Sequence, residues 1–145
     1  MKQLDHFLQF LHEKVTSKSD EKLLTNEETI VTRPNVSVRI HDSCQYITDN
    51  YDKKLNLDSV ADIACLSPEA FCREFKKETR MTFLDFLLRV RIVKACELML
   101  ANKNTKLSDI AYSCGFGSVS SFNRAFRKLM GETPTEYVDH YYSRP

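Results

Sequence analysis

"FCREFKK" fills residues 71–77 and "FNRAFRK" fills residues 122–128, so one Phe-x-Arg-x-Phe-basic-basic stretch occurs twice, 51 residues apart. On an α-helix, Phe71 and Phe75 stand four residues apart and share one face, while Arg73, Lys76 and Lys77 share another. Phe122 and Phe126 repeat the first pattern, and Arg124, Arg127 and Lys128 repeat the second. Each stretch predicts a helix fixed to a core by two aromatic rings and presenting a basic row to solvent. A solvated charge stripe would account for one such helix. Two copies point to a shared task.

The flanks repeat as well. Leu57, Val60 and Ala61 match Leu107, Ile110 and Ala111 at an offset of 50. One residue is then gained in a turn, and Phe71, Arg73, Phe75, Thr82 and Phe86 match Phe122, Arg124, Phe126, Thr133 and Tyr137 at an offset of 51. A repeat of this kind is two copies of one supersecondary unit, and each copy reads as helix–turn–helix. In the first, Asn56 caps the leading helix, "CLSP" is the turn, and Ser67-Pro68 opens the second helix, predicted over 68–79. In the second, Thr105 is the expected cap, "CGFGS" the turn, and Ser118 caps a helix over 119–130 that Gly131 ends in the left-handed conformation. Thr133 to Glu136 forms a capping box for a last short helix.

Between the copies a long helix is predicted from Thr82 to about Ala101; it is apolar on more than one face and so packs against both units. Arg91 interrupts its apolar run, and we read it as a structural ion pair or carbonyl contact. Before the first unit, a helix over Val36 to Tyr51 is expected, with Val38, Cys44, Ile47 and Tyr51 as core positions. Leu4, Phe7, Leu8, Leu11 and Val15 form a stripe on a short N-terminal helix. That stripe packs on its own domain, mediates a homodimer, or is the stump of a partner domain. The expected division is 1–35 N-terminal helix and linker, 36–81 first helix–turn–helix subdomain, 82–102 linker helix, and 103–145 second subdomain.

Bulk properties agree with an all-α fold. Three Gly and four Pro in 145 residues are too few for a loop-rich β protein. No apolar run approaches the roughly 20 residues of a membrane span, and Asp5 and His6 break any leader-like pattern, so a cytoplasmic protein is expected. The five cysteines are odd in number and lack metal-ligand spacing, so most are read as buried thiols. No catalytic pair or phosphate loop is found; "GFG" at 115–117 is too short for one. No enzyme, cofactor or metal site is expected. The net charge of +1 hides a gradient, because residues 66–130 carry twelve Lys/Arg against six Asp/Glu. A patch of one sign matters more to a polyanion than the total.

The stretches "LDSVADIACLSPEAFCREFKKETRMTF", "RVRIVKACELML" and "LSDIAYSCGFGSVSSFNRAFRKLMGETPTEYV" resemble the AraC/XylS-type transcriptional regulators over about residues 38–141. The resemblance implies two helix–turn–helix subdomains bridged by a long helix, each placing a recognition helix in successive major-groove segments of double-stranded DNA. It also implies bacterial transcription regulation, most often activation through RNA polymerase. Carried over by position, the base-facing residues fall on Glu69, Cys72 and Arg73 in the first helix and on Ser120, Ser121, Asn123 and Arg124 in the second. Lys76, Lys77, Arg80, Ser118, Arg127 and Lys128 become phosphate contacts. Glu69 departs from the long polar or aromatic residue of many relatives, Cys72 bonds only weakly, and Arg80 stands where glycine is usual. In many relatives a β-rich effector domain precedes this unit, and the N-terminal stripe looks like the tail of one; the expectation is either a shortened chain or a regulator controlled by abundance. The competing expectation is a helical protein-interaction module that binds another regulator or polymerase without specific DNA binding.

Overall fold

The structure, a computed structural model, describes residues 35–143, and the stripe from Leu4 to Val15 lies outside them. Among the described residues there are seven α-helices and no strand: α1 (Val36–Asp49), α2 (Leu57–Ile63), α3 (Pro68–Thr79), α4 (Phe83–Ala101), α5 (Leu107–Ser113), α6 (Val119–Met130) and α7 (Pro134–Ser143). Side-chain caps start most of them. Asn35 accepts from the Val38 amide at 2.9 Å, Asn56 from Ser59 at 2.8 Å, Ser67 from Ala70 at 3.2 Å and Thr82 from Asp85 at 3.2 Å. Thr133 and Glu136 form the expected reciprocal box, in which the Thr133 amide donates to Glu136 at 2.9 Å and the Glu136 amide to Thr133 at 3.2 Å.

Three local expectations are corrected. α1 ends at Asp49 rather than Tyr51, because the Asn50 side-chain amide turns back onto the Tyr46 carbonyl at 2.9 Å. Ile40 is fully buried where Val38 was expected and Val38 is only half-buried, whereas Tyr51, though half-buried, packs against both cores. α5 is capped by Lys106, with no side-chain bond, and not by Thr105. Asn102 draws the loop around itself there, accepting from the amides of Asn104 at 3.0 Å and Thr105 at 3.2 Å, so the helix starts one residue later.

Two cores divide along α4. Phe86, Leu87 and Val90 pack into the first, beside Ile40, Phe71 and Phe75. Ile92, Ala95 and Met99 pack into the second, beside Ile110, Phe122 and Phe126. The aromatic packing repeats at the 51-residue offset. Phe75 meets Phe86 edge-on at 5.4 Å, and Phe126 meets Tyr137 edge-on at 5.6 Å. Loss of any one of these buried Phe rings would cost about 3–5 kcal/mol.

The turns repeat bond for bond. Leu66 donates to the Ala61 carbonyl at 3.1 Å and Cys65 to Asp62 at 3.0 Å; Phe116 donates to Ala111 at 3.0 Å and Gly115 to Tyr112 at 3.1 Å. Gly115 takes φ +89° and Cys65, in the same position, φ +55°. The residue gained in the second turn is Gly117.

The duplication also reaches one helix further back than the motif alignment. "RIHDSCQYI" (39–47) in α1 matches "RIVKACELM" (91–99) in α4 at an offset of 52. The buried set Ile40, Ser43, Cys44 and Ile47 thereby coincides with Ile92, Ala95, Cys96 and Met99. α4 is thus both the connector and the opening helix of a second three-helix unit.

Candidate nucleic-acid interface

α3 and α6 are the second helices of their units, and both are held from beneath. The Phe71 and Phe75 rings stand 5.2 Å apart and Phe122 and Phe126 5.8 Å apart, all four with no exposed surface. With that face fixed, the remaining residues are turned outward. Glu69, Cys72, Arg73, Lys76, Lys77 and Arg80 are exposed around α3; Ser120, Ser121, Asn123, Arg124, Arg127 and Lys128 are exposed on α6. Ser118 is half-buried and its hydroxyl is engaged, accepting from the Ser121 amide at 3.1 Å and donating to the Ser121 hydroxyl at 2.9 Å. Its free contribution is the helix N-terminus rather than its side chain.

The two helices differ in charge. α6 carries Arg124, Arg127 and Lys128 and no acidic residue. α3 sets Arg73, Lys76 and Lys77 against Glu69, Glu74 and Glu78. Glu74 lies 3.6 Å from the Arg73 Nε, and Glu78 accepts from the Ser37 hydroxyl of α1 at 3.1 Å. The Arg73 side chain is 71% exposed, so its ion pair is weak and the guanidinium is free to swing toward an anion. Arg80 ends α3 at φ +62°, the conformation that glycine supplies at Gly131 (φ +78°) after α6.

Two arginines support the turns beneath these helices. Arg39 donates from one terminal nitrogen to the carbonyls of Ala64 at 2.9 Å and Cys65 at 3.4 Å, closing the first turn. Arg91, its counterpart in α4, donates from Nε to the Tyr51 carbonyl at 2.8 Å and from a terminal nitrogen to Lys53 at 3.0 Å. This is the carbonyl contact expected for Arg91. Burial lowers its pKa from the ordinary guanidinium value, and the group stays protonated at neutral pH. The role of Arg39 was not read from the sequence, although the shared Arg-Ile…Cys spacing of the two helices was the signal for it.

Among the described residues no group of His, Cys, Asp and Glu is placed to hold a metal ion, and no helix is long and apolar enough to cross a membrane. Cys44, Cys96 and Cys114 are buried and Cys65 and Cys72 exposed, none of them in a disulfide. Burial pushes the Cys96 and Cys114 thiols up to about 11.

A family model described as a helix-turn-helix domain matches residues 60–140. The probable transcriptional regulator LumQ of Photobacterium leiognathi is 37% identical over 92 residues, 63% of this chain and 37% of that protein. The HTH-type transcriptional activator RhaS of Enterobacter is 30% identical over 114 residues, 79% of this chain and 41% of that protein. The chain therefore spans about two fifths of the length of the curated relatives it matches. Among solved structures, the C-terminal domain of AraT, a response regulator from Geobacillus stearothermophilus, superposes with a TM-score of 0.68 at 30% identity, covering 74% of this chain and 88% of that one. The repeated three-helix unit, the exposed Arg/Lys row on each second helix and these likenesses agree, and the chain belongs to the AraC/XylS-type helix-turn-helix family of transcriptional regulators.

Proposed function

We propose that the chain is a sequence-specific DNA-binding transcriptional regulator, acting as an activator, that reads two successive major-groove segments with helices 68–79 and 119–130. The carrying observation is the repeated arrangement of a paired-Phe face in the core and an exposed Arg/Lys row opposite it. A helix–turn–helix presents its second helix to a groove about 12 Å wide. Arg73 and Arg124 take guanine edges through paired N–H donors, while Ser120, Ser121, Asn123, Glu69 and Cys72 border the same base edges. Lys76, Lys77, Arg80, Arg127, Lys128 and the backbone N–H groups after Ser118 hold phosphates and set the register. Residues 36–81 and 103–145 are the two reading subdomains and 82–102 joins them. RNA polymerase is the partner for activation in the cytoplasm.

The charge-balanced surface of α3, where Arg73 lies against Glu74, favours a second reading for that helix alone: a protein-interaction face. Selection of bound sequences from a random DNA pool tests both. Two enriched segments support double reading, and one segment assigns α3 to a protein partner. On the selected site, Arg124→Ala should cost about 1–3 kcal/mol and far less on random DNA. With about 6–10 phosphate contacts, affinity should fall about 10³–10⁵-fold between 50 and 200 mM salt. No enrichment at all would sink the proposal.

A further inference from the structure

Arg91 sits at the point of α4 where the core changes hands, between Val90 of the first cluster and Ile92 of the second. Its guanidinium is not spent inside either unit. On one side it bonds the carbonyls of Tyr51 and Lys53, in the chain just past the C-terminal end of α1, where a cation also suits the helix dipole. On the other it stands 5.9 Å over the Phe116 ring and against Gly115, where an added Cβ would meet its Nε and a terminal nitrogen at 3.1 Å. The group is thus held between the backbone of the first unit and the turn of the second. Tyr51 packs on both cores at the same place. Arg39 gives the contrast, because the same position in the first copy closes its own unit's turn.

We infer that Arg91 is a positioning residue that locks the two helix–turn–helix units at one spacing and so fixes the step between the two recognition helices. The consequence for DNA rests on the double-reading proposal; the geometry does not. α4 packs into both cores, so rocking of one unit against the other falls at the junction between Val90 and Ile92. With Arg91 seated between residues 51–53 and the turn at 115–116, rocking would break two hydrogen bonds and a ring contact together. One base pair inserted between two segments moves the second by about 3.4 Å and turns it by about 35°. A locked pair of readers cannot follow that step, whereas a loosely joined pair can.

The test compares the full chain with Arg91→Gln, Arg91→Lys and the control Arg39→Gln, with circular dichroism verifying helix content. The first readout needs no DNA. Spin labels are placed at Lys76→Cys and Arg127→Cys, with Cys65 and Cys72 replaced by serine, and the distance distribution between them is measured. It should be narrow in the parent and in Arg39→Gln, broad in Arg91→Gln and intermediate in Arg91→Lys. The second readout is affinity for the selected site, for the site lengthened by one base pair between segments, and for either segment alone. The insertion should cost the parent about 10²-fold and Arg91→Gln less than about tenfold, with single-segment affinity unchanged. An unbroadened distribution in a helical Arg91→Gln, or equal weakening on every site, would overturn the inference. A parent chain that selects no site ends the DNA reading, and the label distances still decide whether Arg91 locks the units.

Discussion

Gly115 and Tyr51 approach so closely that a Cβ built on the glycine would stand 2.8 Å from the tyrosine's carbonyl oxygen. The two residues belong to different units, so this contact sets how near the second turn lies to the first unit's chain. The three glycines therefore differ in what a methyl group would do. At Gly115 it meets backbone and carries a left-handed φ of +89°. At Gly131 it meets nothing within 4 Å but the φ is +78°, and at Gly117 it meets nothing and no left-handed φ is required. Thermal melts should rank Gly117→Ala level with the parent or slightly above it and Gly131→Ala lower by about 1 kcal/mol. Gly115→Ala should fall furthest. A Gly115→Ala melt equal to that of Gly131→Ala would mean that the units separate freely at this point.

The residues that specify this architecture were unevenly visible in the sequence. The limits of α3 and α6 were legible because Ser67-Pro68 and Ser118 mark starts chemically and Gly131 marks an end. The paired Phe residues gave the buried faces directly. The first helix of each unit was missed as a repeat for a geometric reason. The copies drift through offsets of 52, 50 and 51 as their loops change length, so an alignment anchored on the Phe-x-Arg-x-Phe stretch loses Arg39 and Arg91. Cys65 at φ +55° was also hidden, because cysteine is no turn signal and only its match to Gly115 exposes it. Thr105 looked like a cap from its type alone, but the Asn102 carbonyl holds its amide in the preceding turn and the helix begins one residue further on, at Lys106 with no side-chain cap.

Arg80 ends α3 in the left-handed conformation at φ +62°, which costs a side chain about 1 kcal/mol relative to glycine. Arg80→Gly should not tighten binding to the selected site, because a cation next to the α3 row is lost. A lower melting temperature would show that the arginine side chain stabilises the fold by more than its backbone strain.

α5 begins with Lys106 at the N-cap and no side-chain acceptor for its first amides. A cation there also opposes the positive end of the helix dipole. Lys106→Ser should stabilise the chain by about 0.5–1 kcal/mol, read as a rise in melting temperature. An unchanged melt would mean that water already satisfies those amides as well as a hydroxyl does.

Thiol labelling reads the fold and the proposed interface together. Cys44 is 5% exposed, Cys96 8% and Cys114 fully buried, and burial holds the latter two thiols at about 11, so at pH 8 they are both shielded and protonated. Cys65 and Cys72 are exposed, one in the first turn and one on the outward face of α3 between Phe71 and Arg73. Iodoacetamide at pH 8 should therefore modify two of the five described thiols in the native chain and all five in denaturant. Added duplex carrying the selected site should slow modification of Cys72 and leave Cys65 at its free rate, because α3 lies against the groove and the turn before it does not. Peptide mapping by mass spectrometry separates the two sites. Equal rates at Cys72 with and without duplex would place α3 away from the DNA, whatever α6 does, and would turn its charge-balanced face toward a protein partner.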